Sequence, residues 1–198
     1  MTSQFPDGLP PEVYPLAWIV GAWQGEGTIG YGPIEPGRVR QELVFTAADG
    51  PYLAYSARTW LAPDRDNPDS GGAAGAAKAT GTQGLAARSD AAGGALWHQE
   101  AGFWRVRPGP ARTDPPFEVE VLISDAAGYQ SLYLGEVDAA RVRLGTDAMV
   151  RTASAPAISA ATRMYGLVGG ELLWAWDIAG FGQPRGSYMA VQLRRTAP

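Results

Sequence analysis

Cysteine is absent from the 198 residues, which removes a disulfide framework, thiolate metal sites and a cysteine nucleophile together. Histidine occurs once, at position 98, so a His-rich zinc site cannot be built and any imidazole chemistry falls to His98. Charged residues make up 18% of the chain and the net charge is −4, leaving no basic footprint for nucleic acid. Clustered carboxylates for calcium, a Gly-rich phosphate loop opening a helix and a G-x-S-x-G nucleophile turn are missing as well. No run of about 18 apolar residues occurs, and the start from Met1 to Gly8 has neither the basic nor the apolar stretch of a signal peptide. These absences lead to the expectation of a soluble cytoplasmic protein with no membrane or nucleic-acid partner.

What is present is an ordinary globular balance, 45% hydrophobic, over a length that suits one domain, residues 1–198, with a real core. Residues Met1–Pro15 read as an extended lead-in, and Tyr14–Val20 as a short helical turn ended by Gly21. From Trp23 onward strand signals dominate. Val39–Phe45 and Tyr52–Trp60 flank an Asp49-Gly50-Pro51 turn. Further strands are predicted over Leu96–Arg107, Phe117–Ser124, Tyr129–Val137, Arg141–Leu144, Ala157–Leu167, Glu171–Ala179 and Tyr188–Arg195. Between them Pro63–Ala95 is largely Ala, Gly, Asp and Ser, and is expected to be a disordered or loosely held insert because it cannot offset the entropy of ordering its backbone. Glu118, Glu120, Arg141, Arg143 and Arg163 alternate with apolar neighbours, as on strands with one face in solvent. About ten strands in sequence order and no long helix predict an all-β fold, an antiparallel up-and-down barrel with a short N-terminal helical plug, wide enough for an interior ligand.

The stretch that organises this reading is Leu16–Gly27, with Gly21-x-Trp23-x-Gly25-x-Gly27 at its centre. Its glycines allow close backbone approach, and Trp18 and Trp23 offer large apolar surfaces to close the barrel floor. The pattern resembles the GxWxGxG signature of the nitrobindins, haem-binding barrels similar to lipocalins and fatty-acid-binding proteins. Two further segments carry the resemblance: Leu96–Arg105, similar to that family's His-x-Glu-x-Gly-aromatic-x-Arg strand, and Gln183–Leu193, similar to its closing strand.

The resemblance implies haem b as cofactor, held by a histidine on the last strand with a threonine near the barrel start close by. Here the histidine position is occupied by Tyr188 and the threonine position by Pro33. A tyrosine binds iron well only as phenolate, and reaching that state from a pKa of about 10 needs the ferric ion or a nearby cation. His98 stands at the family's His-x-Glu position, its side chain expected toward the pocket, with Glu100 on the same strand face and Arg105 on the other. Asp125 falls at a polar pocket position of the family but also reads as a turn residue. Trp97, Phe103, Trp104, Tyr129, Tyr133, Trp174, Trp176 and Phe181 could line a planar-ligand site or simply fill a core.

Three functions follow. The favoured one is a nitrobindin-like barrel degenerate in haem binding, with no assigned catalytic residue or metal, that takes a small apolar or planar molecule. The second is a ferric haem protein ligated by Tyr188 or His98, binding nitric oxide or isomerising peroxynitrite as the resemblance implies. The third is a fatty-acid-type carrier, which wants a buried arginine, with Arg58, Arg105 and Arg163 as candidates. A homodimer is left open.

Overall fold

The computed structural model describes residues 8–62, 94–109 and 114–196. A 3-10 helix, Pro11–Ile19, leads into ten strands: β1 Gly21–Tyr31, β2 Ile34–Ala47, β3 Leu53–Leu61, β4 Leu96–Val106, β5 Phe117–Asp125, β6 Tyr129–Asp138, β7 Arg141–Arg151, β8 Ile158–Val168, β9 Glu171–Gly180 and β10 Gln183–Arg195. Each pairs antiparallel with its sequence neighbours, and β1 pairs with β10, so the sheet is a closed up-and-down barrel as the periodicity predicts. Period-two alternation sets which side chains enter it. On β3, Leu53, Tyr55, Ala57 and Thr59 point inward and are buried, while Ser56 and Arg58 are exposed.

The helix begins earlier than the sequence suggests, inside the segment expected to be extended. Pro11 opens it, where a missing N–H costs nothing, and Val13, Leu16 and Ile19 bury completely against the barrel. Gly21, at φ +130°, then turns the chain directly into β1. Trp23 donates from Nε1 to the Ile19 carbonyl at 2.8 Å, and the Arg195 guanidinium lies 4.2 Å over the Trp23 ring while donating to the Trp18 carbonyl at 3.0 Å. Trp23 is fully buried at the floor and Trp18 is half-buried against the core. The end of the chain is thereby clamped onto its beginning.

The glycine signature acts through β10. A Cβ at Gly25 would stand 2.0 Å from the Gln192 carbonyl oxygen, and one at Gly27 2.1 Å from that of Ala190. Only glycine admits this closing strand at the observed register, which sets Gly25 against Leu193 and Ile29 against Met189. The start of β10 is tied by Tyr31, whose hydroxyl oxygen accepts from Gly180 N at 3.1 Å and donates toward the Pro184 carbonyl at 2.9 Å. Together these place Tyr188 on the inner face near the end of the barrel opposite the helix.

Several strands run further than predicted. β10 starts at Gln183 and β7 continues to Arg151, well past the expected stop at Leu144. The second half of β7 hides its alternation because the pairing with β6 shifts register between Leu132 and Tyr133. Its ladder with β8 covers only Arg141–Gly145, ending where Thr146 Oγ1 accepts the Ala161 N–H at 3.1 Å. The expected insert lies, from residue 63 to 93, outside the described residues; Ala95 already belongs to the sheet, accepting from Leu61 N at 2.9 Å.

Candidate functional site

On β4 two successive inward positions are polar. His98 and Glu100 are buried side by side, Gln99 and Ala101 point out, and Arg105 is on the outer face with Glu120. β8 supplies Arg163, buried between Ala161 and Tyr165 on the inner face. This corrects the sequence reading that grouped Arg163 with the solvent-facing charges. Its guanidinium grips Glu100 through two bonds, Nη1 to Oε1 at 2.6 Å and Nη2 to Oε2 at 2.7 Å, and lies 4.2 Å over the Trp176 ring. Tyr55 from β3 donates to Glu100 Oε1 at 2.5 Å, and Arg163 Nε reaches the Tyr133 hydroxyl at 3.3 Å.

Burial alone would push the Glu100 carboxyl up, but the charge and hydrogen bonds of Arg163 outweigh it, so the group is held well below the usual carboxylate range. Burial likewise pulls Arg163 down and is overcome by Glu100, so the guanidinium stays charged. Tyr165, beside this pair, is pushed up to about 12 chiefly by burial. The guanidinium is bonded to Glu100 through both Nη atoms, so its positive charge is spent. A fatty-acid carboxylate would find no free guanidinium here. Arg58 and Arg105, the other two candidates, are exposed, so the carrier reading loses its anchor.

His98 bridges two carboxylates. Its Nε2 lies 3.2 Å from Glu100 Oε2 and its Nδ1 3.5 Å from Asp125 Oδ2. Burial acts to lower its pKa, yet the Asp125 charge together with the Glu100 hydrogen bond and charge prevails and raises it. Asp125 also fulfils the turn role, accepting the Ala127 N–H on Oδ1 at 2.6 Å. Ligand atoms of His98, Glu100 and Asp125 lie within 4.8 Å of one another. A divalent ion there would meet the guanidinium already bound to Glu100 and an imidazole whose two nitrogens face opposite carboxylates, so the chemistry of the set favours a protonated ring over a metal.

Above this cluster Tyr188 is buried, 7% exposed. Its oxygen accepts from Trp97 Nε1 at 2.7 Å, and its ring meets Trp176 edge-on at 5.0 Å. Trp176 in turn lies 5.2 Å from the His98 ring. Burial raises the Tyr188 pKa well above its ordinary value, with the Asp125 and Glu100 charges adding to the rise. The sequence-selected residues Tyr188, His98 and Asp125 are therefore brought into one neighbourhood. Pro33 is exposed on the turn between β1 and β2. Of the aromatic set, Trp104, Tyr133 and Trp174 are core. Phe103 is an outer-face residue, 52% exposed.

Two interior polar arrangements escaped the sequence reading. One is the pairing of Glu100 with Arg163 and Tyr55, since Glu100 and Arg163 are named there only separately. The other is Gln41, which donates to Thr59 Oγ1 at 2.8 Å and accepts from Trp174 Nε1 at 2.7 Å. Parity could have found both, since Arg163 shares the inner face with Ala161 and Tyr165, and Gln41 with Val39 and Leu43. A groove of about 880 Å³ also lies on the outer face of β5 to β9, beside Leu134, Thr162, Met164 and the Arg143–Glu136 ion pair. Arg163 is among its lining residues, while Tyr188, Trp97 and Trp176 are not.

A closed barrel plugged by a helix at one end, with an aromatic and polar inner face toward the other, defines a class of small-molecule-binding β-barrels. Residues 12–195 match the family described as THAP4-like, heme-binding beta-barrel domain. The chain belongs to the nitrobindin family. It is 39% identical, over the full length of both chains, to a protein named ferric nitrobindin-like protein from Beutenbergia cavernae. It is 34% identical to a protein named peroxynitrite isomerase from Clavibacter michiganensis subsp. michiganensis, over 91% of this chain and 92% of that one. Its fold is similar to the crystal structure of Rv2717c from M. tuberculosis, with a TM-score of 0.70 at 24% identity, covering 96% of this chain and 99% of that one.

Proposed function

We propose that this barrel does not hold haem through a protein ligand to iron, and that its interior near Tyr188 takes a small apolar or planar molecule instead. The observation that carries the reading is the state of Tyr188. At the position where the resemblance expects an imidazole, the side chain is a buried phenol whose oxygen already accepts the Trp97 indole proton. Burial, helped by two neighbouring carboxylates, opposes the phenolate that iron would need and outweighs the Trp97 bond and the Arg163 charge that favour it. His98 offers no substitute, because both ring nitrogens face carboxylates and its raised pKa favours the cation, which has no lone pair for a metal. The donor set does not fit haem iron, and no step of a reaction is assigned to that cofactor.

One observation favours a second reading. The identity to the Clavibacter protein extends over nearly the whole chain, which supports ferric haem chemistry toward peroxynitrite with Tyr188 or His98 as ligand. Titration with ferric haem, followed in the Soret band, separates the two. The first reading expects no saturable shift in the wild type and a saturable one in Tyr188→His, which restores a neutral nitrogen donor on the inner face of β10. A wild-type shift lost in Tyr188→Phe or in His98→Ala would establish the second reading and identify its ligand.

A further inference from the structure

Hydrogen-bond arithmetic at Tyr188 leaves a surplus of donors. The phenol oxygen accepts from Trp97, but among the described residues nothing accepts the phenol's own proton. Trp176, 5% exposed, also has an indole N–H without a partner. The two rings are in contact, edge to face at 5.0 Å. Among the described residues two further buried indoles lack acceptors, Trp18 and Trp104. Trp104 is packed among Phe45, Tyr55 and Tyr165 at ring distances of 5.1 to 5.8 Å, and Trp18 lies in the N-terminal helix. Trp104 also adjoins a hydroxyl with no acceptor for its proton among the described residues, Tyr165, but both are sealed in the core at 0% exposure, whereas Trp176 and Tyr188 keep 5% and 7%. Buried polar groups are overwhelmingly paired, so such a pair of donors calls for an acceptor from outside the chain.

We infer that the ligand of this barrel is a neutral planar molecule bearing a carbonyl-type oxygen, a quinone or aromatic ketone, whose oxygen accepts the Tyr188 hydroxyl proton beside Trp176. The inference rests on the proposed small-molecule reading and specifies its chemistry. An acceptor is required because both unpaired groups donate. Neutrality follows from the surroundings. Arg163 is already bound to Glu100, and His98 lies between Glu100 and Asp125, so no free positive charge is left for an anion, and two carboxylates stand close. Planarity follows from the aromatic rings that surround the phenol oxygen, Trp97 bonded to it and Trp176 edge to face with its ring. A buried site with a few placed polar groups on aromatic walls is the usual form of small-molecule recognition.

The test compares 1,4-naphthoquinone with naphthalene, its hydrocarbon counterpart, by equilibrium dialysis against wild type and Tyr188→Phe, with thermal melting to confirm the fold of the variant. Wild type should bind the quinone about tenfold more tightly, the worth of one neutral buried hydrogen bond, and Tyr188→Phe should bind the two alike. Infrared spectroscopy of the bound quinone gives a readout that packing would not move: its carbonyl stretch should drop to lower wavenumber in wild type. Equal affinities in wild type, or an unshifted carbonyl band, overturn the inference while leaving the small-molecule reading intact. Failure of both compounds to bind overturns the inference and the proposed function together.

Discussion

Two polar clusters share the inside of this barrel, and they differ in whether their hydrogen bonds close. Around Glu100 and Arg163 opposite charges are matched and the carboxylate is bonded from several sides: two guanidinium bonds, a phenol bond from Tyr55 and a contact from His98. Around Tyr188 and Trp176 donors exceed acceptors. A closed network needs nothing further and fixes structure, whereas an open one keeps the capacity to recognise something. On this contrast, damage to the first should appear as lost stability and damage to the second as lost binding.

The largest effect is expected from Arg163→Met. Removing the guanidinium leaves Glu100 buried without its cation, and breaking such a pair costs about 3–5 kcal/mol, measured as a fall in the urea unfolding midpoint. The double change Arg163→Met with Glu100→Leu should recover part of that loss, because no charge is then stranded. If the single change is nearly neutral, the Glu100–Arg163 cluster is not the structural one and the contrast fails.

Gly27→Ala should follow. Its Cβ would meet the Ala190 carbonyl oxygen at 2.1 Å and the Val191 Cα at 2.8 Å, backbone atoms that cannot swing aside. A loss of about 2–3 kcal/mol, the upper part of the usual overpacking range, is expected in thermal or urea unfolding. The substitution pushes β10 off β1, so it should also weaken any haem binding that Tyr188→His confers, linking the glycine signature to the geometry of the closing strand.

pH sharpens the comparison from both sides. His98 has a folded pKa above its ordinary 6.5, so its contribution is fully present below pH 6.5 and disappears as pH rises through the folded value. Glu100 has a folded pKa below its ordinary 4.5, so its contribution is present above pH 4.5 and disappears as pH falls toward the folded value. Unfolding midpoints measured across pH should therefore decline toward both acid and alkali. His98→Gln should flatten the alkaline limb and leave the acid limb; an unchanged alkaline limb would show that the Asp125 and Glu100 contacts do not hold a proton on the ring.

The architecture was legible because it rests on local signals. Alternating apolar residues, turn residues such as Gly169 and Gly170, both at positive φ, and the Gly25–Gly27 pair all act through near neighbours or one adjacent strand. Arg163 fits both the alternating solvent-facing charges and the candidate buried arginines in sequence, and the structure bears out the second; its parity with Ala161 and Tyr165 points inward, but a buried charge is intelligible only with its partner, and Glu100 lies 63 residues away. Tyr188 was recognised by its place in the closing strand. That its oxygen is occupied by Trp97, 91 residues earlier, depends on barrel closure, which no local pattern encodes. The reach of β7 beyond Leu144 was hidden for a different reason, the register shift opposite Leu132 and Tyr133.

The smallest effect tests the contrast most directly, by removing one hydrogen bond from each cluster. Tyr55→Phe deletes a donor to the charged Glu100, and bonds to charged groups are worth about 1.5–3 kcal/mol. Trp97→Phe deletes a neutral donor to the Tyr188 oxygen at 2.7 Å, worth about 1 kcal/mol. Stability should fall more in the first variant. Quinone affinity should fall more in the second, since Trp97 polarises and orients the hydroxyl that donates to the ligand. If stability falls more in Trp97→Phe while Tyr55→Phe alters binding, then the roles of the two clusters are exchanged, and the ligand belongs beside Glu100 rather than beside Tyr188.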